Sequence, residues 1–202
     1  TPRADDFEAR LTGFEGKKLQ KLDIKNEAQA TDIKTMLEGA TFSVASVDAK
    51  PTKRNPFAPF TTSTLQQAAS SQLGFSASRT MQVAQRLYEG IDIGGETTGL
   101  ITYMRTDGVQ IAPEAVGAAR SAIVAVFGDK YLPEKPRYYS SKAKNAQEAH
   151  EAIRPTDFRR NPAEMRKYLD PDQARLYEII WKRTIASQMN PAEIERTTVE
   201  ID

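Results

Sequence analysis

The chain has 202 residues, of which 39% are hydrophobic, and this is enough for one domain or two small domains with a buried core. It contains no cysteine and a single histidine, which excludes disulfide bonds, thiolate metal sites and any metal centre that needs several histidines. A net charge of +1 argues against nucleic-acid binding through a bulk excess of positive charge, although the basic segment at 50–56 leaves a local phosphate-binding groove open.

The sequence has no apolar stretch long enough to span a membrane, and it carries neither a signal peptide nor a lipidation motif. We therefore expect a soluble protein. The last residues, TTVEID at 197–202, alternate like a strand, so we expect the chain to be part of a longer protein.

Residues 1–60 predict a β-rich segment with one short helix. The alternation over 7–22 indicates two strands joined near 13–16. Apolar residues at helical spacing predict a helix over 26–39, in which Gly39 is expected to form a left-handed C-terminal cap.

A further strand is predicted at 41–49. The segment that follows, 50–60, contains three prolines. We expect it to break secondary structure and to connect two structural units.

Residues 61–189 predict a mostly helical domain. Two helices over 64–73 and 76–90 are separated by a short turn, as in a helix-turn-helix. The next stretch, 91–104, is predicted to form a β-hairpin that turns at its two adjacent glycines. Two helices followed by a hairpin outline a winged-helix unit.

Two more helices complete this domain. One is predicted over 113–127, and the other over 170–189, where Asp170 and Gln173 form a capped start. The strand predicted in 190–202 returns to the N-terminal strands. The predicted fold class is therefore α+β, with a mostly helical, winged-helix-like domain inserted into a β-rich segment.

Tyr103 lies in the stretch GLITYMRTDG and has two interpretations. A tyrosine in a hairpin is usually there for packing and cross-strand contacts. As a nucleophile it would need help, because keeping a phenol of pKa about 10 ionised at neutral pH costs about 4 kcal/mol. Arg105 is two residues on, so a strand would place it on the same face, where it can stabilise a phenolate and a phosphodiester under attack.

His150 and Arg154 form the second candidate site. They are four residues apart, so a helix would stack them on one side. Pro155 is expected to end that helix and to leave Arg154 at its C-terminal edge. This arrangement fits phosphate binding, and it equally fits a solvated helix end.

The helix at 76–90 carries a third candidate. Its polar side is predicted to face either solvent or DNA, and its apolar side to face the core. The polar residues are Gln82, Gln85, Arg86 and Glu89, and the apolar residues are Val83, Leu87 and Tyr88.

Four stretches occur in the same order as the motifs of the bacterial topoisomerase I family, which are type IA topoisomerases, and they resemble those motifs. They are PFTTSTLQQ at 59–67, RLYE at 86–89, GLITYMRTD at 99–107 and QEAHEAIRPTD at 147–157. The similarity extends to 22–30 and 176–192, and so runs over nearly the whole chain.

The resemblance implies a chemistry for three of these residues. Tyr103 would attack a phosphodiester of single-stranded DNA and form a 5′-phosphotyrosyl bond, releasing a 3′-hydroxyl. Arg105 would hold the scissile phosphate, and His150 would contact the phosphate or help proton transfer. After the other strand has passed, the 3′-hydroxyl would reverse the reaction, so that negatively supercoiled duplex DNA is relaxed without ATP.

The resemblance also assigns six residues to DNA binding around the tyrosine. They are Gln85, Glu89, Thr102, Thr106, Asp107 and Arg154.

The family implies an architecture as well. A helical domain with the tyrosine, here 61–189, would be inserted into a β-rich arch formed by 1–60 and 190–202, as part of a torus around DNA. The stretch GGETTG at 94–99 makes the hairpin longer than in the shortest family versions. A bacterial nucleoid protein in the cytoplasm, without a membrane partner, is expected.

The full-length family enzymes use Mg²⁺, held by an acidic domain that this chain lacks. No glutamate followed by a DxD cluster replaces it, and the cysteine-rich zinc-ribbon region is missing too. We expect no metal site in the chain, and we expect that it folds alone, needs the missing metal-binding domain as its partner and does not relax DNA by itself.

Two functions of other classes remain open. In one, the chain is a non-catalytic winged-helix DNA-binding module in which Tyr103 is structural. In the other, it is a protein-interaction scaffold without affinity for single-stranded DNA.

Overall fold

The computed structural model of the chain describes residues 7–140 and 150–202. They form two compact units. The first comprises Thr1–Lys50 and Arg196–Asp202, and the second comprises Pro51–Glu195. The predicted domain bounds of 1–60, 61–189 and 190–202 stay a prediction.

Helices and strands are mixed in the described chain, as predicted. In chain order they are β1 (Gly13–Phe14), β2 (Lys17–Lys18), α1 (Glu27–Glu38), β3 (Val44–Arg54), α2 (Thr62–Leu73), α3 (Ala77–Glu89), β4 (Ile91–Asp92), β5 (Thr97–Thr98), α4 (Pro113–Phe127), a 3₁₀ turn (Asp129–Tyr131), α5 (Pro162–Met165), α6 (Pro171–Ser187) and β6 (Ala192–Ile201). Within residues 7–140 and 150–202, no helix is both long and apolar enough to cross a membrane.

The first unit begins with the predicted hairpin, but its strands are only two residues long. Gly13 pairs with Lys18, and Phe14 with Lys17. The turn needs positive φ at Glu15 and Gly16, which are at 50° and 74°.

Helix α1 forms where helical spacing predicts it. Asn26 caps its N-terminus by accepting a hydrogen bond from the Gln29 backbone, and Ile33 is its buried residue. The left-handed cap predicted at Gly39 is wrong. Its φ of −95° is right-handed, because the Gly39 N–H closes a last tight turn on the Leu37 carbonyl.

The expected break at 50–60 is also wrong in its first part. Strand β3 continues through Pro51 to Arg54 and pairs with β6 in a two-stranded sheet. Such a sheet has only edge strands, where a proline without an N–H is tolerated.

The second unit has a core in which α6 packs against α2, α3, α4 and α5. Leu65, Leu87, Ile123 and Ile180 each have 0% of their surface exposed and meet in this core. Burying such side chains supplies the main stabilising free energy of the unit.

The N-termini of α4 and α6 follow the predicted signals, whereas α2 is capped by Thr61 and Thr64 and not by the pair Ser63 and Gln66 that the sequence predicts. Asp170 and Gln173 form a reciprocal capping box at the start of α6. Pro113 occupies the first turn of α4, which ends at Gly128 with φ 96°.

The predicted hairpin is present between β4 and β5, but it is shorter than expected. Gly94 and Gly95 turn it with φ of 69° and 97°, and β5 ends at Thr98. The prediction that Tyr103 lies in a hairpin strand is therefore wrong. Directly after β5, the chain at Gly99 passes close to the backbone of Tyr88. A Cβ on residue 99 would lie 2.6 Å from the Tyr88 carbonyl oxygen, so this approach requires glycine.

We expect Leu87→Ala to destabilise the second unit by about 2–5 kcal/mol, because it leaves a cavity in a fully packed core. Chemical denaturation of the chain, followed by circular dichroism, measures this change. The control is Val126→Ala on α4, whose side chain is 48% exposed. An equal loss in the two variants would contradict the described core.

Candidate functional site

Tyr103 lies at the edge of the core, half-buried and packed against it. Its ring centroid is 5.5 Å from that of Tyr88 in an edge-on arrangement, and 5.2 Å from that of His150. The structure thus brings Tyr103 and His150 together although their positions in the sequence differ by 47.

An open pocket of about 420 Å³ adjoins this pair. It is lined by Thr62, Ser63, Arg105, Thr106, Asp107 and His150. Arg105 and His150 are both exposed, so the guanidinium and the imidazole are available to a ligand in the pocket. Because His150 also contacts the Tyr103 ring, it connects the pocket to the phenol.

The segment before Tyr103 is held by the segment after His150. The Thr102 N–H donates to the Arg154 carbonyl over 2.9 Å, and the Thr102 hydroxyl donates to the Ala152 carbonyl over 2.8 Å. The same hydroxyl accepts the Arg154 N–H over 3.0 Å. Thr102 lies next to the tyrosine as predicted, but its hydroxyl is engaged with backbone.

The helix predicted through His150 and Arg154 is wrong in the described residues, which begin at 150. Residues 150–157 form no helix, and Ile153 and Pro155 make isolated β-bridges to Phe60 and Ile101. Backbone partners across the chain replace those of a helix, and Pro155 itself disfavours helix at Arg154. Residues 147–149 of the motif lie outside the described residues.

The Arg154 side chain is not at a solvated helix edge. Only 13% of it is exposed, and its guanidinium makes two hydrogen bonds of 2.9 Å to Glu151. A third donates to the Pro155 carbonyl over 3.0 Å. This arginine is therefore already committed to a bidentate ion pair.

Glu151 joins this ion pair to the start of α4. Its carboxylate accepts the Ala112 N–H over 2.8 Å, in front of the helix N-terminus. Burial by itself would raise the pKa of Glu151. The hydrogen bonds from Arg154 and Ala112, with the Arg154 charge, outweigh burial and lower this pKa.

In the last turn of α3, the ring of Tyr88 packs against the ring of Tyr103. Gln85 donates to the Glu89 carboxylate over 2.6 Å, and Glu89 is exposed. Val83 and Leu87 face the core as predicted. Tyr88 does not, since 40% of it is exposed and its ring lies against Tyr103.

Thr106 and Asp107 complete the pocket on the other side of Arg105. Thr106 is buried, and its hydroxyl accepts the Gly108 N–H over 3.0 Å. Asp107 is exposed. A Cβ on Gly108 would lie 2.5 Å from the His150 carbonyl oxygen, so glycine allows the two backbones to approach closely.

Comparison with known proteins decides the family. A family model described as DNA topoisomerase matches residues 4–202. The chain belongs to the DNA topoisomerase family. The resemblance expected from the four motifs is confirmed.

Individual topoisomerases agree with this assignment. The chain is 54% identical to DNA topoisomerase 1 of Rickettsia bellii, over 91% of this chain and 23% of that protein. With DNA topoisomerase 1 of Zymomonas mobilis the identity is 53%, over 96% of this chain and 15% of that protein. The structure of full-length topoisomerase I from Thermotoga maritima matches with a TM-score of 0.70 and 38% identity, over 93% of this chain and 28% of that one. The chain thus spans about a quarter or less of the length of the two curated topoisomerases.

The described part of this topoisomerase chain does not fit a magnesium site. Within residues 7–140 and 150–202, no group of three or more potential metal ligands is present. Asp107 is the one carboxylate among the residues that line the pocket. A hard cation such as Mg²⁺ takes several oxygen ligands, which the lining of this pocket does not supply.

Four residues in or beside this pocket were not among the predicted site residues. Thr62 and Ser63 lie in the PFTTSTLQQ motif, in which the sequence suggests a helix-capping role for Ser63 and no role for Thr62. Tyr88 was placed on the apolar face, and Gly108 was not considered. The cluster of capping residues at 61–64 predicts a helix N-terminus, but no local pattern predicts that this helix end lies beside Arg105.

We expect the destabilisation of Glu151→Gln to depend on pH. A lowered folded-state pKa means that Glu151 contributes stability above its unfolded pKa of about 4.3, and that this contribution is lost as pH falls through the folded-state value. The difference in unfolding free energy between wild type and variant should therefore be present at neutral pH and shrink in acid.

Urea unfolding at several pH values between neutral and strongly acidic tests this expectation. Glu195→Gln, on the exposed face of β6, is the matched control. A Glu151→Gln difference that stays constant down to the acid limit would contradict the ion pair.

Proposed function

We propose that this chain carries the DNA-cleaving tyrosine of a type IA topoisomerase, an isomerase that relaxes negatively supercoiled duplex DNA. One observation carries the proposal: the Tyr103 ring lies 5.2 Å from His150, which lines an open pocket together with Arg105. A nucleophile, a phosphate-binding cation and a titratable group therefore lie within one site.

In the proposed reaction, the Tyr103 oxygen attacks a phosphodiester of single-stranded DNA. A bond forms between this oxygen and phosphorus, and the bond from phosphorus to the 3′-oxygen breaks. The phenol loses a proton and the 3′-oxygen gains one, so the products are a 5′-phosphotyrosine and a 3′-hydroxyl. Attack by the 3′-hydroxyl reverses these changes, and no ATP is consumed because one phosphate ester replaces another.

Arg105 and His150 are the groups in this chain that can assist. The Arg105 guanidinium is exposed in the pocket, where it can bind the phosphate and stabilise the charge that grows in the transition state. His150 contacts the phenol ring and also lines the pocket, so it is available both to the phosphate and to proton transfer.

The DNA-binding role proposed for the neighbouring residues differs with their environment. Asp107 and Glu89 are exposed, and Gln85 is half-exposed, so a single strand can reach them. Contact between DNA and Arg154 would require it to release Glu151. The hydroxyls of Thr102 and Thr106 bond to backbone groups, which supports a role in holding the local backbone more than a role in contacting DNA.

The wider architecture remains part of the proposal. Helices α2 and α3 are followed by the β4–β5 hairpin, which is the order of a winged-helix unit. We infer that this unit is inserted into a β-rich arch that forms part of a ring around DNA in the bacterial cytoplasm. We place the Mg²⁺ site of the whole enzyme outside this chain.

Tyr103→Phe, in the full-length protein that contains this chain, is expected to abolish the covalent DNA adduct and relaxation while the fold is retained. The variant removes only the nucleophilic oxygen and keeps the ring contacts with Tyr88 and His150. An oligonucleotide labelled at its 3′ end should become bound to the wild-type protein, whereas a 5′ label should be released on a shorter fragment.

Tyr88→Phe is the matched control, because it removes a neighbouring phenol oxygen, and it should still form the adduct. An adduct that survives in Tyr103→Phe would contradict the proposal. Unchanged relaxation in that variant would favour a non-catalytic winged-helix module instead.

We further expect the isolated 202-residue chain not to relax negatively supercoiled plasmid, because the described residues hold no magnesium site. Agarose-gel relaxation assays with and without Mg²⁺ measure this directly. Robust Mg²⁺-dependent relaxation by the chain would show that no other domain is needed.

A further inference from the structure

Thr62, the first residue of α2, makes contacts that capping of this helix does not explain. The cap is formed by its neighbours: the Thr61 hydroxyl accepts the Thr64 N–H over 3.3 Å, and the Thr64 hydroxyl accepts the Thr61 N–H over 2.9 Å. This reciprocal box satisfies the helix end. The Thr62 hydroxyl therefore takes no part in capping the helix.

That hydroxyl bonds to the backbone on both sides of Arg105. It donates to the Met104 carbonyl over 2.7 Å and accepts the Thr106 N–H over 2.8 Å. The Thr62 N–H adds a bond of 2.9 Å to the Thr106 carbonyl. One residue of α2 therefore holds the peptide groups that precede and follow Arg105.

The segment that Thr62 holds is a bend without regular secondary structure. Met104 is completely buried and Thr106 is buried, whereas Arg105 between them is exposed in the pocket. The direction in which Arg105 leaves the backbone thus depends on how the peptides at 104 and 106 are oriented. In this segment, the Thr62 hydroxyl replaces the partners that a strand or helix would offer.

We propose that Thr62 is a positioning residue for DNA cleavage, which acts by fixing the backbone bend from which Arg105 reaches the scissile phosphate. This inference rests on the proposed function, because it needs Arg105 to bind that phosphate. Thr62 itself need not touch DNA. Its effect should appear in the rate of cleavage, since misplacement of a charge-stabilising group weakens the transition state more than ground-state binding.

The test uses two substitutions in the full-length enzyme that differ in the hydroxyl. Thr62→Val keeps the shape and removes the hydroxyl, and Thr62→Ser keeps the hydroxyl. At saturating 3′-labelled oligonucleotide, adduct formation should slow by about 10- to 100-fold in Thr62→Val, the range expected for a reacting group displaced by up to about 1 Å. Thr62→Ser should stay close to wild type, and oligonucleotide affinity should change little in either variant.

Ser71→Ala is the control for the loss of a hydroxyl on the same helix. The Ser71 side chain is exposed and bonds only to the Ala68 carbonyl one turn earlier among the described residues. This variant should cleave like the wild type. A rate in Thr62→Val equal to that in Ser71→Ala would overturn the inference.

A double-mutant cycle separates positioning from a general structural role. If Thr62 acts through Arg105, Thr62→Val should add little to the loss already caused by Arg105→Ala. Fully additive losses would overturn the inference, because Thr62 would then act independently of Arg105. Unfolding of both Thr62→Val and Thr62→Ala, seen by circular dichroism, would also overturn it, since the hydroxyl would then support the whole fold.

The outcomes distinguish this inference from the function on which it rests. If Tyr103→Phe still forms the adduct, the proposed function fails and the positioning role fails with it. If Tyr103→Phe and Arg105→Ala lose cleavage while Thr62→Val does not, only the positioning role fails.

Discussion

The site depends on a short run of backbone hydrogen bonds between the segment before Tyr103 and the segment after His150. The Thr156 N–H donates to the Leu100 carbonyl over 3.0 Å, and the Thr102 N–H donates to the Arg154 carbonyl over 2.9 Å. Because these bonds pair one defined residue with another, they set which side chains face each other. A slip by one residue would turn Tyr103 away from His150.

The segment around Tyr103 also packs into the hydrophobic core. Leu100, Ile101 and Met104 are essentially fully buried, so the chain around Tyr103 cannot shift without exposing apolar surface. The backbone of Tyr103 is therefore rigidly supported, and its side chain is partly exposed. The nucleophilic role proposed for Tyr103 needs both, since the oxygen must be held in place and must still be accessible to a substrate.

Some charged side chains of the site stabilise the fold, whereas others line the open pocket. Glu151 neutralises Arg154 in a largely buried pair and also accepts the first N–H in front of α4. Arg105 instead points into the open pocket beside His150. Arg105, predicted to hold the scissile phosphate, and Arg154, predicted to contact the DNA backbone, thus have different environments. Arg154 would have to leave its ion pair with Glu151 to bind a ligand, whereas Arg105 already lines the pocket.

Sequence patterns predicted the elements whose causes are local. The capping box at Asp170, the proline at the start of α4 and the glycines of the hairpin each act within a few residues, and each was found in the structure. Motif resemblance identified Tyr103, Arg105 and His150, and two of these lie in the pocket. Two predictions that failed, a hairpin strand at Tyr103 and a helix from His150 to Arg154, concern segments whose hydrogen-bond partners are far away in the sequence. The left-handed cap at Gly39 failed for a local reason, because its N–H bonds to the Leu37 carbonyl.

The amino-acid sequence by itself determined the family, the amphipathic helices and the capped start of α6, because motif order, apolar spacing and capping chemistry are properties of neighbouring residues. Tertiary structure decided that an exposed arginine and an imidazole share one pocket next to a half-buried phenol. It also decided that Thr62 holds the bend at Arg105 and that Arg154 is paired. These facts arise from backbone hydrogen bonds and burial between segments about 40 to 50 residues apart, which local patterns do not encode.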